Sequence, residues 1–361
     1  MPTPDPNVDA PDRAWVDIDL GAVVSNARRV ADVSGARLLP MVKANGYGLG
    51  AVAVAKALER LDPWGYGVAT VEEGAELRAV GISRPVLLFT PQLPGWMDAL
   101  LRHRLTPVIC DIPALERWLA VAPGEPFHLG IDTGMARAGI AFHDSAAFSA
   151  ARALTTGSTA YQGACTHFHS ADTDPAATEL QWTRLQEAVA AIGPRPPLVH
   201  AANSAAALTG RRYSGELVRP GIFLFGGRAG AAVPEPVAAL RARVVALRRV
   251  AAGDPVSYGA TWRPASATMI ATVAAGYADG LPRSASGRGQ VEIGGRLWPI
   301  RGRVTMDMTL VEVDEQVRSG DVATVYGGMM SVDEQAGHSD TVSYELLTAL
   351  GARVERRYQN D

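Results

Sequence analysis

Between residues 38 and 225, short apolar runs alternate with Ala-rich amphipathic segments, and this alternation most narrows what the chain can fold into. Eight runs stand out, at 38–42, 66–69, 86–89, 106–110, 127–131, 163–168, 198–201 and 217–224. Helical spacing fills gaps between them, as at 52–59, 72–80, 114–121 and 179–191. Strands buried on both faces read as continuous apolar runs, and parallel strands need helical crossovers. The pattern therefore predicts an α/β chain whose first part is a closed parallel (β/α)8, TIM-like barrel. A doubly wound open sheet is the alternative, because miscounting by one run would favour it.

After Pro234-Glu-Pro236 the pattern changes. Runs at 241–250, 269–274, 290–293, 297–301, 308–313 and 322–326 are short, alternating or apolar, and are separated by Gly, Pro and Asp turns. They predict a mostly antiparallel β domain, with one terminal helix at 343–350. The expected domains are 12–236 and 237–361, and 361 residues comfortably supply two cores.

Composition excludes several functions. A net charge of −3, with no long basic or acidic block, argues against nucleic-acid or membrane-surface partners. Hydrophobic residues at 47% and charged residues at 20% are an ordinary globular balance, and no run reaches the ~18 apolar residues of a membrane span. Cys110 and Cys165 both lie in apolar strand-like runs and read as buried thiols rather than a disulfide or metal framework. Residues 1–10 have neither a basic nor an apolar leader segment, so a cytoplasmic enzyme is expected.

In such barrels, chemistry gathers beyond the carboxyl ends of the strands. Lys43, His167, Asn203, Ser204 and Arg219 all fall at or beside such ends. Lys43 closes an apolar run and is followed by Ala-Asn-Gly-Tyr-Gly-Leu-Gly50. A lysine so placed can condense with the aldehyde of pyridoxal phosphate, and the glycines allow close approach of backbone to a ligand. A surface lysine just past a buried strand would look the same, so the rest of the chain must decide.

The Lys43 segment resembles the cofactor-lysine motif of bacterial alanine racemases. The likeness continues through Asp132-Thr-Gly-Met-Ala-Arg-Ala-Gly139, Thr166-His-Phe168, His200-Ala-Ala-Asn-Ser204 and Arg219-Pro-Gly-Ile222. Beyond the change of pattern come Val256-Ser-Tyr-Gly-Ala-Thr-Trp262, Gly276-Tyr-Ala-Asp-Gly-Leu-Pro-Arg283, Gly302-Arg-Val-Thr-Met-Asp307 and Arg353-Val-Glu-Arg-Arg-Tyr358. The resemblance implies a pyridoxal-phosphate enzyme of fold-type III that interconverts L- and D-alanine and supplies D-alanine for peptidoglycan. It also implies a head-to-tail homodimer whose sites are completed by the partner's C-terminal domain, with the strand at 14–20 joining that domain.

By the same resemblance, Lys43 and the partner's Tyr258 are bases on opposite faces of the substrate carbon. His167 and Arg137 favour the ionised phenol, and Arg219 donates to the pyridine nitrogen without giving up its proton. Tyr47, Ser204 and the amides of Gly221 and Ile222 are implied to hold the phosphate, with Asn203 alongside. Arg137 and the Met306 amide approach the substrate carboxylate, Tyr277 and Asp307 match further partner-side positions, and Tyr358 lines the entrance. Asp172, Arg283 and Arg303 match an outer polar corridor. No metal is expected; His167 and His169, at i and i+2 on a strand, share a face for ordinary packing as readily as for ligation.

The chain departs from the family pattern in four places. Gly130 stands where many members carry a carbamylated lysine that steadies the carboxylate-binding arginine. Gly46 and Leu49 replace the usual alanine and histidine, and Phe225 replaces a commoner tyrosine. None deletes a base. They leave room for a racemase of different or broader specificity, such as one acting on serine. A non-catalytic pyridoxal-phosphate-binding barrel is disfavoured, because such proteins lack a C-terminal domain carrying an equivalent of Tyr258.

Overall fold

The structure, a computed structural model, describes residues 12–360. The N-terminal stretch read for a leader segment, and Asp361, lie outside the described residues. The chain forms two compact units, one of residues 20–235 and one in which residues 12–19 join 236–360.

In the first unit six parallel strands follow chain order: Tyr66–Val68, Val86–Leu88, Thr106–Ile109, Phe127–Asp132, Tyr161–Cys165 and Leu198–His200. Arg37–Leu38 and Leu217–Val218 pair in parallel with each other. At one edge Trp64 N–H donates to Leu38 O (2.8 Å) and Gly67 N–H to Pro40 O (2.9 Å). At the other, Glu216 N–H donates to Val199 O (3.0 Å) and Arg219 N–H to Ala202 O (2.8 Å). These bonds join all eight strands in a ring, so the unit is the closed barrel and not the open sheet. Leu39, Leu87, Val108, Cys165, Leu198 and Leu217 fill its interior.

Two expected strands are shorter than their apolar runs. The run at 217–224 is a strand only over Leu217–Val218, since Pro220 has no N–H to extend the ladder. The buried Ile222–Phe225 then coils into a 3-10 turn. The run at 38–42 pairs as a strand only at Arg37–Leu38, with Met41 making an isolated bridge to Gly67 beyond Pro40. Apolarity marked these residues as buried, and proline decided their backbone. The expected helices form at Ala51–Leu58, Val71–Ala79, Ile112–Val121 and Pro175–Ile192. Thr70, Asp111 and Asp174 cap the last three by accepting a backbone N–H in the first turn.

The second unit is built on one eight-stranded sheet. Its long strand Ala238–Val250 pairs antiparallel with Ala14–Asp19, Thr268–Val273 and Val322–Tyr326. Ala14–Asp19 also pairs with Glu355–Gln359, in parallel. The sheet is thus mostly antiparallel, and its terminal helix forms at Ser343–Thr348.

Candidate active site

The strand ends of the barrel surround a cavity of about 320 Å³ lined by Lys43, Phe89, Cys110, Arg137, His167 and Arg219, among others. Directly after Lys43 the backbone enters a left-handed stretch. Ala44, Asn45, Gly46 and Tyr47 have φ of 52°, 53°, 60° and 54°. Three of these carry side chains, for which this conformation costs about 1–2 kcal/mol per residue. Glu73 holds the turn by accepting from Ala44 N–H (2.6 Å) and Ala69 N–H (2.7 Å), and Asn45 Oδ1 accepts from Ala51 N–H (3.0 Å). Such over-determined strain is characteristic of functional sites. Here it fixes where the Lys43 side chain starts. Burial lowers the Lys43 pKa, and the cationic Arg137 and Arg219 push the same way against an opposing pull from Glu73.

Arg219 is 5% exposed. Its Nη1 donates to the His200 carbonyl (2.9 Å) and to His200 Nδ1 (2.9 Å). Nη2 donates to the carbonyls of Thr166 (2.6 Å) and Ala201 (3.0 Å) and lies 3.4 Å from His167 Nδ1. The guanidinium carbon stands 5.6 Å from the centre of the Phe89 ring. Among the described residues, every hydrogen-bond partner of this cation is neutral. His167 is held uncharged, pushed down to about 3 by burial and then by Arg219, Arg137 and Lys43.

Tyr47, Ser204 and Gly221 converge on one side. A Cβ on Gly221 would fall 2.2 Å from Tyr47 Oη, so only glycine lets the phenol hydroxyl approach this backbone. The Gly221 N–H donates to Ser204 Oγ (2.9 Å), and Ser204 follows Asn203, whose Oδ1 caps the short helix Ser204–Leu208. Ile222 is buried as the first residue of the following 3-10 turn. Tyr47 stacks on Phe225, with centroids 4.5 Å apart, so the phenylalanine preserves ring packing at that position. Leu49 is fully buried and serves the core.

Arg137 lies in a loop ordered by Asp132, whose Oδ1 accepts from Gly134 N–H (2.9 Å) and Ala136 N–H (3.1 Å). A Cβ on Gly130 would meet Cys110 Sγ at 3.1 Å and Val108 Cγ1 at 3.2 Å. A thiol and a valine therefore crowd the place where a side chain would begin. Burial pushes the Cys110 thiol up to about 12 and the Cys165 thiol to about 11, so neither offers Arg137 a negative charge. Asp172 belongs to the same unit.

The remaining expected residues belong to the other unit. Tyr258, 71% exposed, tips a loop whose Ser257, Gly259 and Ala260 have φ of 63°, 72° and 47°. Ser257 Oγ anchors the loop on Arg303 O (2.6 Å). Tyr277 N–H donates to Thr305 O (3.0 Å) and Ala278 N–H to Met306 O (3.0 Å), which sets Tyr277, Met306 and Asp307 side by side. Asp307 pairs with Arg353 (2.6 Å). Arg283 opens the 3-10 turn Arg283–Ala285, and Tyr358, 39% exposed, lies on the last strand.

Sequence reasoning missed Glu73, His128 and the side-chain role of His200. Glu73 was legible as the third helical residue after Thr70, the spacing of a capping box. The histidines carried no such signal. Among the described residues no group of three or more His, Cys, Asp or Glu is arranged to hold a metal, and no helix is long and apolar enough to cross a membrane.

Comparison with known proteins agrees with this architecture in both halves. The family model "Alanine racemase, N-terminal domain" matches residues 18–229, and "Alanine racemase, C-terminal domain" matches residues 237–358. An alanine racemase of Deinococcus radiodurans is 38% identical over 359 residues, covering 96% of this chain and 99% of its own. The solved alanine racemase from Streptomyces coelicolor A3(2) superposes with a TM-score of 0.91 at 30% identity, over 97% of this chain and 98% of that one. The Bartonella henselae structure, described with covalently bound pyridoxal phosphate, has a TM-score of 0.89 at 27% identity, over 97% and 100%. With both domains matched in order over nearly the whole length, the chain belongs to the alanine racemase family.

Proposed function

We propose that this protein racemises alanine by a two-base reaction with pyridoxal phosphate on Lys43, and that it works as a cytoplasmic homodimer supplying D-alanine for peptidoglycan. One observation carries the reading: a lysine of lowered pKa shares a cavity with a buried arginine that only neutral groups hold. The residues suit the coenzyme. Tyr47 Oη, Ser204 and the Gly221 backbone form a close-set polar cradle that a single methyl at Gly221 would fill, a fit for a phosphate group. When bound, pyridoxal phosphate supplies an electron sink that makes the α-proton of an attached amino acid removable.

The chain's own groups do the rest. Lys43 Nζ takes or returns a proton on one face, and burial with the nearby Arg137 shifts it toward the unprotonated amine relative to an ordinary lysine. Arg219 presents a fixed cation that donates hydrogen bonds and keeps its protons. That restraint stabilises negative charge less than a protonated ring nitrogen would, and so favours simple return of the proton. Arg137 and, from the second subunit, the Met306 amide orient the substrate carboxylate. By the family pattern, Tyr258 Oη from the second subunit holds the proton on the opposite face. Its place on a strained, exposed loop supports a role outside the packing of its own unit.

The test is to add L-alanine, and separately L-serine and larger amino acids, to the coenzyme-loaded protein in D2O, and to follow α-deuterium and chirality together. Exchange with inversion of alanine is expected. Exchange with retained chirality would remove the second base from the reading, and inversion of serine but not alanine would replace the substrate.

A further inference from the structure

Inside the barrel a second histidine stands behind the one that meets Arg219. His128 Nδ1 lies 2.8 Å from His200 Nε2, and both rings are completely buried. The two belong to strands that are not neighbours. The strand Tyr161–Cys165 runs between them, with Gly163 in register with His128 on one side and Leu198 on the other. A Cβ on Gly163 would fall 2.3 Å from His128 Nδ1. The missing side chain is what lets the ring cross the intervening strand and reach His200.

Donor and acceptor roles along this row follow from one fixed point. Arg219 Nη1 can only donate, so His200 Nδ1 must accept and His200 carries its hydrogen on Nε2. That N–H must then find an acceptor, and His128 Nδ1 is the atom there. His128 consequently carries its own hydrogen on Nε2, a buried atom. We propose that His128 is a positioning residue: by accepting from His200 it locks the His200 tautomer, and through it holds the Arg219 guanidinium in place. Burial agrees with two neutral rings, since His128 is pushed down to about 3 and His200 well below 6.5. Gln162 pulls the His128 ring the other way, toward protonation, but does not outweigh burial.

The tautomer lock stands on this geometry alone, and its consequence for the coenzyme rests on the function proposed above. Imidazole 15N NMR of histidine-labelled protein, with and without pyridoxal phosphate, tests the lock directly. In the wild type both rings should be neutral with hydrogen on Nε2; a charged ring, or hydrogen on Nδ1 of His200, overturns the proposal. His128→Asn places an amide oxygen where Nδ1 stood and should keep the His200 signal. His128→Leu and Gly163→Ala should move His200 toward the Nδ1–H form and weaken pyridoxal phosphate binding about tenfold, the cost of one buried mismatch. A wild-type His200 signal in His128→Leu, or equal loss in His128→Asn and His128→Leu, would show that the ring only fills space. An altered tautomer without a change in coenzyme affinity would leave the lock standing and refute its link to Arg219.

Discussion

In the barrel unit the Arg219 guanidinium, 5% exposed, meets carbonyls and imidazoles; in the other unit the Asp279 carboxylate, 0% exposed, is gripped by Arg13 and Arg353. Asp279 Oδ2 also accepts from Gly276 N–H (2.9 Å), and the Arg353 fork extends to Asp307. Both groups are buried charges, and their surroundings are opposite in kind. A charge that serves only the fold is answered by counter-charges, because an unpaired buried ion is expensive. A charge surrounded by neutral acceptors keeps its field available to an incoming group, and the fold bears the cost. At Lys43 the balance is mixed: Arg137 and Arg219 work against its protonation, and the Glu73 carboxylate works for it.

Four experiments test this contrast. Lys43→Ala should lower racemisation by roughly 10²–10⁴-fold through loss of one base. The melting temperature should hold or rise, because a disfavoured, partly buried cation is gone; marked destabilisation would mean that Lys43 is structural. Asp279→Ala should do the reverse, costing about 1–3 kcal/mol in denaturant unfolding, because the buried Gly276 N–H and two partly exposed arginines lose their acceptor. A small loss there would erase the contrast from its structural side.

Acid should act on the barrel through its neutral histidines. His128 and His167 titrate near 3 when folded, and His200 well below 6.5, against an ordinary unfolded value near 6.5. Their folded pKa values are depressed, so the unfolded chain binds more protons once pH falls below about 6.5. Stability is therefore complete above that pH and is lost as pH drops toward 3, by up to about 1.4 kcal/mol per pH unit for each ring. Urea unfolding at pH 7, 6 and 5 measures the slope, and His128→Asn should reduce it by one ring's share. The smallest effect is expected from Arg137→Leu. Removing that cation lets the Lys43 pKa rise, so the acid limb of the rate profile should move to higher pH. A shift to lower pH would reverse the assigned sign.

Much of this was legible in the sequence where a residue ends an apolar run. Lys43 and His167 stand at the ends of such runs, Arg219 directly follows the strand Leu217–Val218, and the barrel places all three on one cavity. The ring itself followed from the count of runs, although Pro40 and Pro220 shortened two strands that apolarity alone had extended. What escaped was anything that depends on register. His128 sits inside a strand, where a lone polar residue looks like incidental packing, and its partner is two strands and 72 positions away. Only the alignment of Gly163 with His128 turns a gap in side chains into a contact. The left-handed turn after Lys43 was also hidden, because Ala44, Asn45 and Tyr47 are held there by Glu73 and by neighbouring backbone rather than by their own preferences.

The most direct test of the central claim, that the cavity with its unneutralised cations is the coenzyme site, is borohydride reduction of the pyridoxal-phosphate-loaded protein followed by peptide mass mapping. One phosphopyridoxyl adduct per chain is expected, on Lys43, reduced in yield by Arg219→Leu. An adduct on Lys56 or the N-terminal amine with Lys43 unmodified would contradict it.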